Sequence, residues 1–110
     1  MKNMKPSKPP TGLSDHALTM WRRCVEDYAI HDAPGLGLLE SALRCWDRAQ
    51  EARSVIAVEG MQVKDRFDQS KPHPLLSVER DAWSGFRHAV RQLGFDIEPP
   101  RPTLGRPPGI

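Results

Sequence analysis

Eight of the eleven prolines in this chain crowd into its two ends, at Pro6, Pro9, Pro10, Pro99, Pro100, Pro102, Pro107 and Pro108. Proline fixes φ and removes a backbone donor, so such ends favour extended chain over helix or sheet. Folding is thereby confined to a single unit of about residues 13–94 in a chain of 110. Residues 1–12 read as a flexible, disordered basic arm and residues 95–110 as a flexible Pro/Gly-rich tail. A unit of that size buries only roughly 60% of the surface its unfolded chain exposes, which favours self-association.

Charge divides along the same lines. Lys2, Lys5 and Lys8 occupy the arm without an acid, eleven Lys or Arg meet twelve Asp or Glu in residues 13–94, and the tail is neutral. The formal excess of +2 therefore belongs to the arm. No apolar run reaches the ~18–20 residues of a membrane span, and the stretch from Met1 to Pro10 has no signal-peptide apolar core. A cytoplasmic protein is expected. Cys24 and Cys45 lack Cys-x-x-Cys spacing, which points to neither a disulfide framework nor a zinc site.

Within the folding unit the periodicity is helical. Ser14 is placed to cap a helix whose Ala17, Leu18, Trp21, Cys24, Val25 and Tyr28 share one side. The run from Ile30 to Gly35, with Pro34, ends it, and Asp32 or Ala33 is positioned to cap a second helix. From Leu36 to about Glu59 the positions Leu39, Ala42, Leu43, Trp46, Ala49, Arg53 by its stem, and Ile56 recur every three or four residues, with Gly60 as the C-terminal cap. So short a turn predicts a long antiparallel helical hairpin. Residues 61–73 lose the period and read as a short β-hairpin or irregular loop. His73-Pro74 opens a third helix through Leu75, Val78, Ala82, Phe86, Ala89, Val90 and Leu93, closed by Gly94. The fold class is mostly α, with Trp21, Leu39, Leu43, Trp46, Trp83 and Phe86 as core or oligomer-interface anchors.

The third helix carries the arrangement with most bearing on a partner. Advancing ~100° per residue from Arg80 brings Arg87 and Arg91 to within ~20° of it, opposite the apolar stripe. Three guanidinium groups then share a solvent face, a geometry suited to phosphate contact. With the lysines of the arm they form the candidate DNA-binding set: Lys2, Lys5, Lys8, Arg80, Arg87 and Arg91. The alternative for such a stripe is a solvated face salt-bridged to neighbouring acids. For Arg22, Arg23, Arg44 and Arg48, near Glu26, Glu40 and Asp47, local ion pairing is the expected use.

Catalytic constellations are not found in the sequence. His16, His31, His73 and His88 are scattered, and there is no His-x-x-x-His, nucleophile elbow or phosphate-binding loop. The chain reads as a non-enzyme without metal or cofactor. His73 reads as a capping or packing residue, and Glu79 as a first-turn acid that meets the positive end of the helix dipole. A small hydrolase or nuclease built on these two residues is the reading to be tested against.

The run His73-Pro74-Leu75-Leu76-Ser77-Val78-Glu79-Arg80-Asp81-Ala82, continuing to Arg91-Gln92-Leu93-Gly94-Phe95, resembles the C-terminal signature of the phage terminase small subunit family. Leu13-Ser14, Trp21, Leu38-Leu39, Trp46 and Gly60 fall where such proteins place a helical hairpin, and the tail from Gly105 to Gly109 is similar in character. The resemblance covers about residues 13–98. It implies a ring-shaped homo-oligomer that recognises double-stranded viral DNA and delivers it, for genome packaging, to a large terminase subunit that owns the ATPase and nuclease. A non-enzymatic helical adaptor or a small DNA-binding transcriptional regulator is the alternative.

Overall fold

The computed structural model describes residues 8–95. They form three helices and one hairpin, in the order α1 (Asp15–Asp27), α2 (Ala33–Glu59), β1 (Gln62–Lys64), β2 (Ser70–Pro72) and α3 (Leu75–Leu93). The mostly helical class and the short hairpin agree with the sequence reading. Lys2 and Lys5 of the arm, and the tail beyond Phe95, lie outside the described residues.

Each helix boundary has a local cause. Ser14 Oγ accepts the Ala17 N–H at 3.1 Å, and the same residue donates its own N–H and hydroxyl to Asp47 at 2.8 and 2.6 Å. One serine thus caps α1 and ties its start to α2. Ala29, with φ of 51°, turns the chain out of α1. Asp32 then caps α2 by accepting the Gly35 N–H at 2.9 Å. The helix begins at Ala33 rather than at Leu36, because Pro34 has its φ preset for a first turn and needs no N–H partner there. Gly60, at φ 89°, ends α2, and Gly94, at φ 77°, ends α3.

Two packing zones result. Leu13, Ala17, Trp21, Ile30, Leu39 and Leu43 form a buried cluster between α1 and the N-terminal half of α2. Large side chains of this kind contribute roughly 1.5–3 kcal/mol each on full burial. Tyr28, assigned to the buried side of α1 from its period, instead follows the end of that helix, is exposed, and stacks on Phe95 with centroids 4.0 Å apart.

The second zone is built from small residues. Ala42, Ala49, Ala52 and Ile56 of α2 and Ala82 and Ala89 of α3 are buried, and Gly85 of α3 approaches Cys45 of α2. Arg53, expected to lay its stem in this stripe, is exposed, and the neighbouring Ala52 occupies the buried position. Because alanines bury little area, the zone depends on close backbone approach and dense van der Waals contact.

Contacts at the two ends fix the directions. Cys45 meets Gly85, whereas Glu59 meets His73 at the entry to α3, so α2 and α3 run antiparallel. Ser14 meets Asp47 across the α1–α2 turn, so that pair is antiparallel as well. The more extensive pairing is nevertheless α2 with α3. The helical hairpin expected across the 28–32 turn is present, but α1 has 13 residues while α2 and α3 have 27 and 19, and the two long helices lie alongside each other over a greater extent.

The connection between them is a two-stranded antiparallel hairpin, with Val63 opposite Lys71. Asp65 organises its tip: Oδ1 accepts the N–H groups of Phe67 and Gln69 at 2.8 and 3.0 Å. This pattern satisfies turn donors through a side chain rather than through a tight two-residue loop.

Candidate nucleic-acid interface

Arg80, Arg87 and Arg91 are all exposed on α3, on the side away from the buried Ala82 and Ala89. The stripe is not free of acid, as its register alone suggested. Arg80 Nε donates to Asp81 Oδ1 at 3.2 Å, between two largely exposed side chains. Adjacent residues on a helix diverge by ~100°, yet the long arginine side chain spans that gap. Arg87 and Arg91 make no ion pair among the described residues. Lys8 is exposed at the start of the described chain, upstream of α1.

The other basic residues divide differently from expectation. Arg44 pairs with Glu40 at 2.9 Å and also donates to the Thr11 carbonyl at 2.9 Å, which holds the segment before α1 against α2. Arg22, Arg23 and Arg48 form no ion pair among the described residues. Asp47 is turned toward Ser14, and Glu26 is left on the solvent side of α1. Local pairing therefore accounts for Arg44 alone of these four.

The aromatic residues are unequal. Trp21, Leu39 and Leu43 are buried, whereas Trp46, Trp83 and Phe86 are half-buried. Trp46 stacks on His16 with centroids 4.6 Å apart, and Trp83 meets Phe86 edge to face at 5.9 Å. The Trp83 indole N–H donates to Glu79 Oε2 at 3.1 Å. That bond explains why a carboxylate sits toward the apolar side of α3. The first-turn dipole explanation fails, because α3 starts at Leu75 and Glu79 stands beyond its first turn.

His73 is buried, and both ring nitrogens are engaged. Nδ1 accepts the Leu75 N–H at 3.0 Å, so Nε2 carries the hydrogen and donates to Glu59 at 2.7 Å. Its backbone N–H donates to the Met61 carbonyl at 2.8 Å, and its carbonyl accepts the Leu76 N–H at 3.0 Å. The residue joins the end of α2, the hairpin and the first turn of α3. His73 and Glu79 are engaged with different partners and form no acid–base pair. Among the described residues, no group of three or more His, Cys, Asp or Glu is placed to hold a metal ion, and no helix is long and apolar enough to cross a membrane.

Residues 17–99 match the family described as phage terminase, small subunit. The chain belongs to that family. No curated protein and no solved structure matches it significantly. As a terminase small subunit, the chain has its family-matched region spread over all three helices and the hairpin, and α3 with its arginines lies wholly within it.

Sequence reasoning passed over the hairpin tip. Arg66 and Phe67 are both exposed there, with the guanidinium carbon 5.2 Å from the ring centroid. The available signal was an aromatic residue between two charges, Arg66 and Asp68, in a stretch without a core-facing period.

Proposed function

We propose that this terminase small subunit recognises double-stranded viral DNA as a homo-oligomer, in the form of a ring, and delivers it to the large terminase subunit for genome packaging in the host bacterial cytoplasm. The observation that carries the reading is family membership over residues 17–99. The division of labour assigns nucleotide hydrolysis and cleavage to the large subunit, so this chain acts by binding. Arg87 and Arg91 are the leading phosphate contacts, supported by their exposure and by their lack of a carboxylate partner among the described residues. Arg80, Lys8, Lys2 and Lys5 add charge to the same function. Half-buried Trp46, Trp83 and Phe86 serve assembly, while buried Trp21, Leu39 and Leu43 serve the core.

Oligomerisation supplies what one copy lacks. A formal charge of +2 on one chain is a weak attractor for a duplex, but several copies held together present their contacts at high effective concentration. The test is a salt titration of duplex binding by anisotropy. The wild type should show a log–log slope steeper than that of Arg87→Ala/Arg91→Ala by ~0.9 for each phosphate that the variant no longer neutralises. Identical slopes, or no duplex binding by the wild type, would refute the DNA surface. Failure to co-purify with its large subunit would refute delivery.

A further inference from the structure

Among the described residues, three of the four exposed large apolar side chains lie at one end, and the fourth, Tyr28, is stacked on Phe95. Val58, Met61 and Phe67 are 86%, 68% and 69% exposed, and all three belong to the last turn of α2, the segment after it or the hairpin tip. The tip is also cationic. Asp65 directs its carboxylate to turn N–H groups, Asp68 faces Lys64 at 3.9 Å, and Arg66 and Lys71 have no ion-pair partner among the described residues. A projecting ring backed by a guanidinium suits an apolar recess edged with carboxylates better than it suits a phosphate surface, which leaves Phe67 and Met61 uncovered.

The same chain has such a recess. Beside the start of α1, where α2 runs on past it, an open groove of about 550 Å³ is lined by Leu13, Trp46, Asp47, Gln50, Glu51 and Ser54. Its lining includes the half-buried Trp46 and two acids, of which Asp47 is engaged by Ser14 and Glu51 is not, and no Lys or Arg lines it. The Glu51 carboxylate is exposed and makes no ion pair among the described residues.

We infer that the hairpin tip of one copy, Phe67 with Arg66, docks in the Trp46 groove of the next copy and places Arg66 against Glu51. This deepens the oligomeric reading above and rests on it. The donor and acceptor surfaces are different patches of the same chain, so the contact is heterologous: each copy uses its tip on one neighbour and its groove on the other, and repetition closes a ring when the rotation per copy permits. Charge complementarity fixes which end enters the groove, and the aromatic pair supplies the desolvated centre.

Native mass spectrometry and sedimentation at micromolar concentration test this, with the full chain throughout. Phe67→Asp and Glu51→Arg alter exposed side chains, and unchanged melting curves will show that each variant is folded. Each should fall from oligomer to monomer when alone. Mixed one to one, they should form a dimer and nothing larger, because only the intact groove of the first and the intact tip of the second remain compatible. Arg66→Glu combined with Glu51→Arg in one chain should restore the oligomer. A wild type that is monomeric would overturn the oligomeric reading and this contact together. A wild-type oligomer indifferent to either variant, or a mixture that remains monomeric, would overturn the contact alone. Loss of DNA binding in Phe67→Asp at unchanged mass would assign the tip to DNA and likewise overturn it.

Discussion

Gly85 of α3 lies so close to Cys45 of α2 that a Cβ on the glycine would stand 2.9 Å from Sγ. A glycine in a helix interior costs about 0.5–1 kcal/mol relative to alanine, so at this position close packing, not propensity, accounts for the residue. Gly85→Ala should therefore destabilise the protein by about 1–3 kcal/mol through overpacking, despite the better helix former. Adding Cys45→Ala removes the obstructing sulfur and should recover most of the loss. Chemical denaturation of the two single variants and the double variant measures this coupling, and additive effects would show that the helices do not meet there.

His73→Ala should lower stability by about 1–3 kcal/mol, since it removes a cap on α3 and empties a buried site. Glu59→Gln keeps an oxygen to accept from Nε2 and should cost less than about 1 kcal/mol on this partly exposed side. The hairpin and the first turn of α3 should lose hydrogen-exchange protection together in His73→Ala. If His73 served catalysis instead, metal-dependent DNA cleavage would be present in the wild type and would vanish in the variant at an unchanged melting temperature.

The elements legible in the sequence are those set by local chemistry. Ser14, Asp32, Gly60 and Gly94 each mark a helix end through a hydrogen bond or a backbone angle that depends on few neighbours. In the α2–α3 seam the periodicity found Ala42, Ala49, Ile56, Ala82 and Ala89 but not Ala52 or the Gly85–Cys45 approach, because small residues carry little hydrophobic signal. Arg53 drew attention from the buried Ala52 for that reason. At the candidate site, the exposure of Arg87 and Arg91 followed from helical register, but the Arg80–Asp81 pair did not, because register places Cα atoms and not the ends of long side chains. Glu79 was assigned by its distance from the helix start, while its partner Trp83 is an i,i+4 neighbour. The groove beside Trp46 depends on where the chain enters α1 relative to α2, a tertiary relation with no local signature.

Cys24 packs against the α1–α2 core, and burial, reinforced by the nearby Asp27 carboxylate, pushes its thiol pKa up. It should alkylate more slowly than a free cysteine at pH 7.5, since the thiolate is the nucleophile. Asp27→Asn removes one of the two causes and should speed alkylation at the same pH. The linkage has a definite sign: the folded thiol keeps a proton that the unfolded thiol releases. Its contribution to stability is complete below the unfolded pKa and is lost as pH rises through the raised folded one. Thermal melts between neutral and alkaline pH should fall more steeply for the wild type than for Cys24→Ser, and parallel curves would refute the shift.

The Arg80–Asp81 pair makes the three arginines of α3 unequal, and a single substitution exposes the difference. Asp81 removes one positive charge's worth of field from the stripe, and its bond to Arg80 is between exposed groups, where such pairs contribute little to folding, about 0–1 kcal/mol. Asp81→Asn should therefore leave the melting temperature nearly unchanged while it strengthens duplex binding and steepens the salt dependence. If Arg80 then reaches one additional phosphate, the log–log slope should grow by ~0.9 per chain engaged. Asp81→Asn/Arg80→Ala should return the slope to the wild-type value or below, which separates a direct Arg80 contact from a general change of net charge. Sequence preference provides a second readout: backbone contact alone shifts affinity for all duplexes alike, whereas a base-edge contact changes their ranking. Should Asp81→Asn leave both affinity and slope unaltered while Arg87→Ala/Arg91→Ala weakens binding, the contact surface would be confined to the C-terminal half of α3, with Arg80 outside it.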